Sequence, residues 1–168
     1  MKKALIIGLF LAFASALTAQ NIKTGAESVS EYLPLLQGKK VAVLSNQTGM
    51  IGKTHLVDSL VALKINIVAI MSPEHGFRGD ADAGEHVSSS VDQKTGIPIK
   101  SLYEGNTGKP ASELMKEIDV MVFDLQDVGV RFYTYLTTMA RMMEACAENG
   151  VKMVILDRPN PIGFYVDG

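Results

Sequence analysis

The chain has 168 residues, which is enough for one domain with a substantial hydrophobic core. Apolar residues make up 47% and charged residues 20% of it, which places it among ordinary globular proteins. The formal net charge is −2, which argues against the basic surface that nucleic-acid binding requires, so no nucleic-acid partner is expected.

The first twenty residues differ from the rest. A short basic start, MKK, precedes the apolar run ALIIGLFLAFASAL, and small residues that suit signal cleavage lie near the end of the run at Ala14–Ala16 and at Leu17–Gln20. This order is typical of a secretory signal peptide and predicts an exported protein, periplasmic or secreted. A transmembrane helix needs about 20 apolar residues. We therefore expect no stable membrane anchor, with an uncleaved anchor as the alternative.

Strands and helices alternate along the rest of the chain. A helical approach that stops at Gly38 comes first, and a predicted helix over His55–Lys64 has Thr54 as its N-cap. A short helix follows Lys109, and a long one begins near Val128 and ends at Gly150. The predicted strands are Val41–Asn46, Ile65–Met71, a weaker one at Ile97–Tyr103, Val120–Leu125 and Val151–Asp157. The polar stretch of residues 77–96 is predicted to be a loop with little regular structure.

The main predicted strands are apolar throughout instead of alternating with polar residues. Strands of this kind, separated by helices, indicate a parallel sheet covered on both faces. We predict an α/β fold with a Rossmann-like, open, mainly parallel sheet and helices on both faces. Residues 21–168 are expected to form this domain, and residues 1–20 the signal peptide.

Polar side chains follow each of the main predicted strands. In open α/β sheets, ligands bind outside the carboxyl ends of the strands, so these residues are expected to line one polar cleft. They are Ser45, Asn46, Gln47 and Thr48 after the first strand, Glu74, His75 and Arg78 after the second, Asp124, Gln126, Asp127 and Arg131 after the third, and Asp157, Arg158 and Asn160 after the fourth.

Two cofactor-dependent interpretations are weakly supported, and we expect no cofactor and no metal. Gly49 and Gly52 are too close together for a phosphate-binding loop of the spacing G-x-x-x-x-G-K-[ST]. Possible metal ligands do not follow a zinc-binding helical spacing, although metal-dependent hydrolysis stays open as an alternative. These ligands are His75, Asp80, Asp82, Glu85 and His86.

Sugar cleavage fits the residues better. Glycosidases need a carboxylic acid that protonates the leaving oxygen, and partial burial can keep such an acid protonated near neutral pH. Glu74 follows Pro73 at a strand end, where the backbone is expected to hold the acid in a fixed position. The alternative is a structural ion pair between Glu74 and Arg78.

Three other residues have both a functional and a structural interpretation. Arg131 could clamp a carboxylate next to Tyr135 on one helix face, or pair with Asp127. The two prolines around Asn160 either fix the orientation in which the turn presents Arg158 and Asn160, or only stiffen the chain where it leaves the strand. Cys146 is the one cysteine, and its helical context favours a packed residue over a nucleophile.

Five motifs together resemble the exo-β-N-acetylmuramidases, a family that acts in peptidoglycan recycling and was formerly a domain of unknown function. They are SNQTG, PEHGFRGD, AGE, DLQDVGVRFYTY and LDRPNP, in this order between Val41 and Gly168. The resemblance implies an exo-acting glycoside hydrolase that releases N-acetylmuramic acid from the non-reducing end of peptidoglycan fragments. Muramyl saccharides would then be its partners.

The resemblance also implies site residues, with Glu74 as the catalytic acid. The implied substrate-binding residues are Asn46, His75, Arg78, Asp124, Asp127, Arg131, Tyr133, Asp157, Arg158 and Asn160. The family carries a second, smaller α/β domain that forms the other wall of the cleft. We expect the catalytic domain here to be truncated at its C-terminal end, without that second domain. A non-catalytic saccharide-binding domain, or an inactive fragment of the enzyme, is the alternative.

Overall fold

The computed structural model describes residues 22–73, 76–79, 90–102 and 108–165. The predicted signal peptide lies outside these residues. The strands in the described ranges are β1 (Val41–Ser45), β2 (Met50–Ile51), β3 (Thr54–His55), β4 (Ile67–Ser72), β5 (Ser90–Val91), β6 (Pro98–Ser101), β7 (Val120–Asp124) and β8 (Lys152–Ile155). The helices are α1 (Val29–Leu36), α2 (Leu56–Ala62), α3 (Ser112–Met115) and α4 (Tyr135–Asn149), and a 3-10 turn covers Gly25–Glu27.

Six of the described strands form one sheet in the order β5-β6-β4-β1-β7-β8. The strands from β6 to β8 are parallel to their neighbours, and β5 is antiparallel to β6. This arrangement confirms the predicted α/β fold with a mainly parallel sheet. Strand β1 is one of the inner strands of the sheet. Every residue from Val41 to Ser45 is buried, as expected for a strand covered on both faces.

Each face of the sheet packs against its own helices. On one face, Val43 and Val122 join the cluster that buries the apolar sides of α1 and α2. On the other face, Leu44 and Met121 join a second cluster with α3 and α4. The alternation of side chains along each strand therefore gives two hydrophobic layers, which confirms the predicted helices on both faces.

The predicted start of the long helix was wrong. Helix α4 begins at Tyr135, and residues 125–134 are irregular. The Asp127 carboxylate accepts a hydrogen bond from the Gly129 amide at 3.1 Å, and Gly129 has a φ of 75°, so the backbone turns where the helix was expected. Arg131 and Tyr135 consequently do not share a helix face.

Two smaller features also differ from the sequence-based predictions. The cap of α2 is His55 instead of Thr54, because His55 Nδ1 accepts the Val57 amide while Thr54 pairs within the β2–β3 hairpin. Strand β5 lies in the stretch predicted as a loop, and the hairpin was not predicted, since two-residue strands carry too few residues for a periodic pattern. Within the described ranges, the helices are too short or too polar to cross a bilayer.

Helix α2 provides a matched test of this packing. Val57 is fully buried against the first hydrophobic layer, whereas Val61, one turn later, is 40% exposed. Val57→Ala is expected to lower the free energy of unfolding by about 2 kcal/mol, because it removes two buried methyl groups and leaves a cavity. Val61→Ala should change it by less than about 0.5 kcal/mol. Urea denaturation measures both, and equal losses would contradict this packing.

Candidate active site

The carboxyl ends of β4, β1, β7 and β8 lie along one edge of the sheet. These strands are parallel and adjacent, and the register places Ser45 beside Asp124 and Phe123 beside Ile155. The described polar residues that follow β1, β7 and β8 therefore lie at this edge. Glu74 and His75 lie outside the described residues, although their neighbours Pro73 and Gly76 are buried at the end of β4.

Asn46 is a buried connection point at the end of β1. Its Nδ2 donates to the Tyr135 hydroxyl at 2.7 Å, and its Oδ1 accepts from the Thr48 amide at 3.0 Å and the Thr48 hydroxyl at 2.7 Å. The Asn46 carbonyl also accepts from Gly49 N and contacts His55 Nε2, both at 2.9 Å. Asn46 therefore fixes the start of α4 and the turn after β1 in one network.

Asp124 and Arg158 form a buried ion pair between the ends of β7 and β8. Their side chains are 0% and 7% exposed, and Arg158 Nε and Nη2 donate to the two Asp124 oxygens at 2.6 and 3.0 Å. Arg158 Nη2 also donates to the Met50 carbonyl at 3.2 Å. This paired geometry holds the β2–β3 hairpin against the strand ends.

Gly49 sits directly against this pair. A Cβ atom at Gly49 would collide with Ser45 Oγ and would lie 3.1 Å from Asp124 Oδ2. The turn after β1 therefore has room for glycine alone beside the carboxylate.

A pocket of about 210 Å³ opens next to the ion pair, between the ends of β7 and β8 and the first turns of α4. Its polar lining comes from Asp127, Asp157, Arg158 and Asn160, four of the residues predicted for the site. The apolar lining is Phe123, Leu125, Tyr135, Leu136, Met139, Ile155 and Leu156. The pocket thus combines carboxylates and an amide with an apolar wall, the combination found in small-molecule binding sites.

The remaining residues predicted after β7 lie at the side of this pocket. Tyr133 is half-buried and stacks edge-to-face on Tyr135 at 4.6 Å between ring centroids. Arg131 is exposed on the irregular segment before α4. Gly129 allows this segment to approach the next turn, because a Cβ there would collide with the Asn160 amide. Asn160 Oδ1 in turn accepts the Ile162 amide at 3.0 Å.

Arg78 is held by two carboxylates that the sequence did not suggest. Its Nε and Nη2 each donate to Asp92 at 2.8 Å, and its Nη2 donates to Asp58 at 2.9 Å. Lys94 also pairs with Asp58 at 2.7 Å, and the Arg78 guanidinium lies 4.8 Å from the Phe77 ring centroid. Arg78 therefore joins α2 to the turn after β5, and its guanidinium is already occupied by protein groups.

The charges of this cluster shift one another's pKa values. Hydrogen bonds from Arg78 lower the pKa of Asp92 to about 2, with Thr95 contributing as well. Burial acts to raise the pKa of Asp58, but the Arg78 and Lys94 hydrogen bonds outweigh it and lower the pKa overall. The hydrogen bonds to Asp92 likewise raise the pKa of Arg78. All three groups are therefore charged at neutral pH.

His55 connects this cluster to the end of β1. Its Nδ1 accepts the Val57 amide at 3.2 Å, so the proton lies on Nε2, which donates to the Asn46 carbonyl at 2.9 Å. Burial lowers the pKa of His55, which agrees with this neutral form. The ring also packs edge-to-face on Phe77 at 4.7 Å between centroids. A second, more open pocket of about 290 Å³ lies here, lined by Gln47, Met50, Lys53, Thr54, His55, Asp58, Arg78 and Lys94.

The structure thus brings most of the predicted residues to one edge, in two groups. Asp124, Asp127, Asp157, Arg158 and Asn160 meet around the first pocket, with Asn46 and Tyr133 behind or beside it. Arg78 lies in the second group with His55, Asp58 and Asp92, which sequence reasoning missed. His55 could have been suspected from its place just before α2, whereas Asp92 follows an unpredicted strand and gave no signal.

Two further possibilities raised by the sequence were a nucleophilic cysteine and a metal site. Cys146 is buried in α4, and burial raises the pKa of its thiol to about 11, as expected for a packed residue. The described ranges contain no group of three or more potential metal-ligating side chains. The residues considered for a metal site, His75, Asp80, Asp82, Glu85 and His86, lie outside those ranges.

Comparison with known families agrees with the motifs at this edge. Residues 41–168 match the family described as "Exo-beta-N-acetylmuramidase NamZ, N-terminal". The chain belongs to this family. The match covers both strand-end groups and confirms the resemblance seen in the sequence.

Individual relatives of the NamZ family support the same assignment. The chain is 46% identical over 148 residues to the peptidoglycan β-N-acetylmuramidase NamZ of Bacillus subtilis strain 168, covering 85% of this chain and 35% of that protein. Two crystal structures of DUF1343 family proteins from Bacteroides fragilis superpose with TM-scores of 0.75 and 0.76, at 50% and 45% identity. They cover 86% and 87% of this chain, which corresponds to 37% of each of those chains. The chain therefore spans about a third of the length of these relatives.

The Asp124–Arg158 pair gives a prediction for stability. Arg158→Met leaves a buried carboxylate without its partner and is expected to lower the free energy of unfolding by about 3 kcal/mol. Adding Asp124→Asn removes that unpaired charge, so the double variant should lose less than the single one. Urea denaturation measures both, with Arg141→Met on the exposed side of α4 as the control. A double variant less stable than Arg158→Met would contradict the role of this pair.

The Arg78 cluster gives a prediction for pH dependence. An Asp pKa of about 2 in the folded state lies below the unfolded value of about 3.9, so Asp92 contributes stability above pH 4 and loses it as the pH falls towards 2. Asp92→Asn should lower the free energy of unfolding by about 2 kcal/mol at pH 7 and flatten its fall between pH 4 and 2. Thermal unfolding at several pH values measures this, with Glu113→Gln on α3 as the control. An unchanged pH profile in Asp92→Asn would contradict the pairing.

Proposed function

We propose that the chain is the part of a peptidoglycan-directed glycoside hydrolase that carries its catalytic acid, and that the enzyme releases N-acetylmuramic acid from the non-reducing end of cell-wall fragments. The observation that carries the proposal is the NamZ family match across every polar strand end of the sheet. The names of the family and of the Bacillus subtilis relative indicate the class of bond that is cleaved, a β-linkage of N-acetylmuramic acid.

Glu74 is the proposed acid. It follows β4, which pairs with the central strand β1, and it stands between the buried residues Pro73 and Gly76. In this role, partial burial would favour the protonated form of its carboxyl group near neutral pH. It would donate a proton to the departing sugar oxygen as the bond to the anomeric carbon breaks.

A second polar group must assist at the anomeric carbon, either as nucleophile or by activating water. Asp124 is unsuited, because it is fully buried and both its oxygens accept from Arg158. Asp127 and Asp157 are the described carboxylates that line the pocket beside it. We propose that one of them supports the reaction, with Asn160 as a hydrogen-bonding partner for the sugar.

The lactyl carboxylate of N-acetylmuramic acid calls for a cationic partner. Arg158 is committed to Asp124, and Arg78 to Asp58 and Asp92, so both are better described as residues that position the strand ends. Arg131 is exposed on the segment that also carries Asp127. Because this segment borders the pocket that Asp127 lines, we propose Arg131 as the group that recognises the lactyl carboxylate.

The acid is tested by Glu74→Gln, which keeps the side-chain size and removes the transferable proton. The assay follows hydrolysis of an aryl β-N-acetylmuramide, using this chain continued by the portion of the Bacillus subtilis relative that lies beyond the matched third. We expect Glu74→Gln to fold normally and to lose at least about a hundredfold in kcat, the scale of general acid catalysis. Glu113→Gln, an exposed change of the same kind on α3, should keep full activity.

The same assay separates this proposal from the saccharide-binding alternative. Turnover by Glu74→Gln at the parental rate would remove Glu74 from the mechanism. Binding of muramyl saccharides without turnover in the parental chimera would instead favour a non-catalytic wall-binding domain. Loss of activity on chelation, restored by a divalent metal, would favour metal-dependent hydrolysis.

A further inference from the structure

Asn160 lines the pocket of about 210 Å³ with its side-chain amide in a fixed orientation. Its oxygen, Oδ1, accepts the Ile162 amide at 3.0 Å, and because a backbone amide can only donate, the nitrogen Nδ2 must lie on the other side of the group. Gly129 packs against this amide, since a Cβ there would collide with both of its polar atoms. Nδ2 donates to no residue that the structure describes, so Asn160 offers a hydrogen-bond donor to a ligand in the pocket.

Asp127 offers the complementary acceptor from the neighbouring segment. Its Oδ2 accepts the Gly129 amide at 3.1 Å, whereas its Oδ1 has no hydrogen bond within the described ranges. The carboxylate lines the same pocket and is half-buried. The bond to Oδ2 therefore fixes the carboxylate and leaves Oδ1 as an acceptor for a ligand.

Gln126 connects the two segments that carry these groups. Its Nε2 donates to the Asp127 carbonyl at 2.7 Å and to the Pro159 carbonyl at 3.0 Å. One amide nitrogen thus binds Asp127 itself and the residue directly before Asn160. The relative position of the acceptor and the donor is consequently set by protein contacts before a ligand arrives.

The rest of the pocket wall is mainly apolar and well packed. Tyr135 is buried, and its hydroxyl accepts from Asn46 Nδ2 at 2.7 Å, which fixes the ring. Leu125 is buried in the same hydrophobic cluster, and Leu136 and Met139 continue the wall along α4. A methyl group in the pocket would therefore lie against carbon atoms.

An acetamido group has the matching chemistry, because it carries one N–H donor, one carbonyl acceptor and one methyl group. A hydroxyl group could use the donor and the acceptor but would leave the apolar wall uncovered. A carboxylate would meet the negative charges of Asp127 and Asp157, and the cation among the described lining residues, Arg158, is already paired with Asp124.

We propose that this pocket recognises the 2-acetamido group of the substrate sugar. Asp127 Oδ1 accepts from the acetamido N–H, Asn160 Nδ2 donates to the acetamido carbonyl, and the methyl group packs on the apolar wall. The inference rests on the proposed function, because N-acetylmuramic acid supplies the acetamido group. It makes the pocket the part of the site that distinguishes an acetylated amino sugar from other sugars.

Two further roles follow from this arrangement. Gln126 is a positioning residue, because it contacts no substrate and acts by setting the distance between the acceptor and the donor. Asp127 is committed to the acetamido group, which leaves Asp157 as the carboxylate that assists at the anomeric carbon.

Asn160→Asp tests the donor, because it keeps an oxygen for the Ile162 amide and replaces only Nδ2 by an acceptor. The assay uses the same continued chain as for Glu74→Gln and two aryl glycosides, the β-N-acetylmuramide and its counterpart with a hydroxyl at carbon 2. We expect the ratio of their kcat/KM values to fall by about tenfold or more, with the thermal midpoint within about 2 °C of the parent. Both substrates carry the lactyl carboxylate, so its repulsion by the new charge cancels in the ratio.

Asn66→Asp is the matched control for that variant. It adds the same charge at an exposed position before β4, at the opposite edge of the sheet, and should leave the ratio unchanged.

Gln126→Met tests the positioning role, because methionine fills a similar space but donates to neither carbonyl. The same ratio should fall several-fold, whereas kcat/KM for the hydroxyl substrate should change little. A purely structural role would lower both values together and leave their ratio intact.

Saturation-transfer NMR adds a measurement that needs no turnover. The probe is the methyl β-glycoside of N-acetylmuramic acid, whose acetyl and lactyl methyl groups serve as an internal comparison. On the Glu74→Gln form of the continued chain, the acetyl methyl should receive more saturation than the lactyl methyl. Adding Asn160→Asp should remove that difference.

Three results would overturn the proposal. They are an unchanged ratio in Asn160→Asp, an acetyl methyl no more saturated than the lactyl methyl, and cleavage of a substrate with a free amine at carbon 2 as fast as the acetamido substrate. The last would assign the pocket carboxylates to a cation. If the parental chain cleaves neither glycoside, the proposed function fails, and the NMR comparison still decides whether the pocket takes an acetamido group.

Discussion

The buried pairing of Arg158 with Asp124 is the interaction on which the strand-end architecture depends. Two adjacent parallel strands end with their polar residues close together, and an unpaired carboxylate there would have to be desolvated without compensation. The guanidinium satisfies both oxygens of Asp124 and still reaches the Met50 carbonyl. The walls of the pocket follow from this pairing, because it sets where the segments after β7 and β8 can run.

A second ionic cluster acts at the other side of the same edge. Arg78 links helix α2 to the turn after β5 through Asp58 and Asp92, and the neutral His55 ring connects that cluster to the Asn46 carbonyl. Arg78 and Arg158, which the sequence suggested as ligand-binding residues, therefore act mainly in structural ion pairs. The carboxylates of Asp127 and Asp157 and the amide of Asn160, by contrast, line the pocket.

The sequence predicted the sheet well because its evidence was local. Continuous apolar runs such as Val41–Leu44 and Val120–Phe123 cannot be satisfied except in the interior of a parallel sheet, and glycines such as Gly38 mark the helix ends. The start of α4 was misplaced because the spacing of Arg131 and Tyr135 suggested one helix face, although Gly129 is a poor helix former, and in the structure the Asp127–Gly129 hydrogen bond lies in a turn before the helix. The partners of Arg78 come from residues 20 and 14 positions away, a distance that no periodic pattern spans.

The close packing around Gly49 affects how mutational scans of this protein are interpreted. Any side chain there must displace Ser45 or press on the carboxylate that Arg158 holds, although Gly49 itself carries no chemical group. In a survey of activity alone, this position would score like a member of the reaction machinery. Measuring soluble yield separately from turnover per folded molecule would show that Gly49 has a structural role. Because it has no side chain, it leaves room for the ion pair between Asp124 and Arg158.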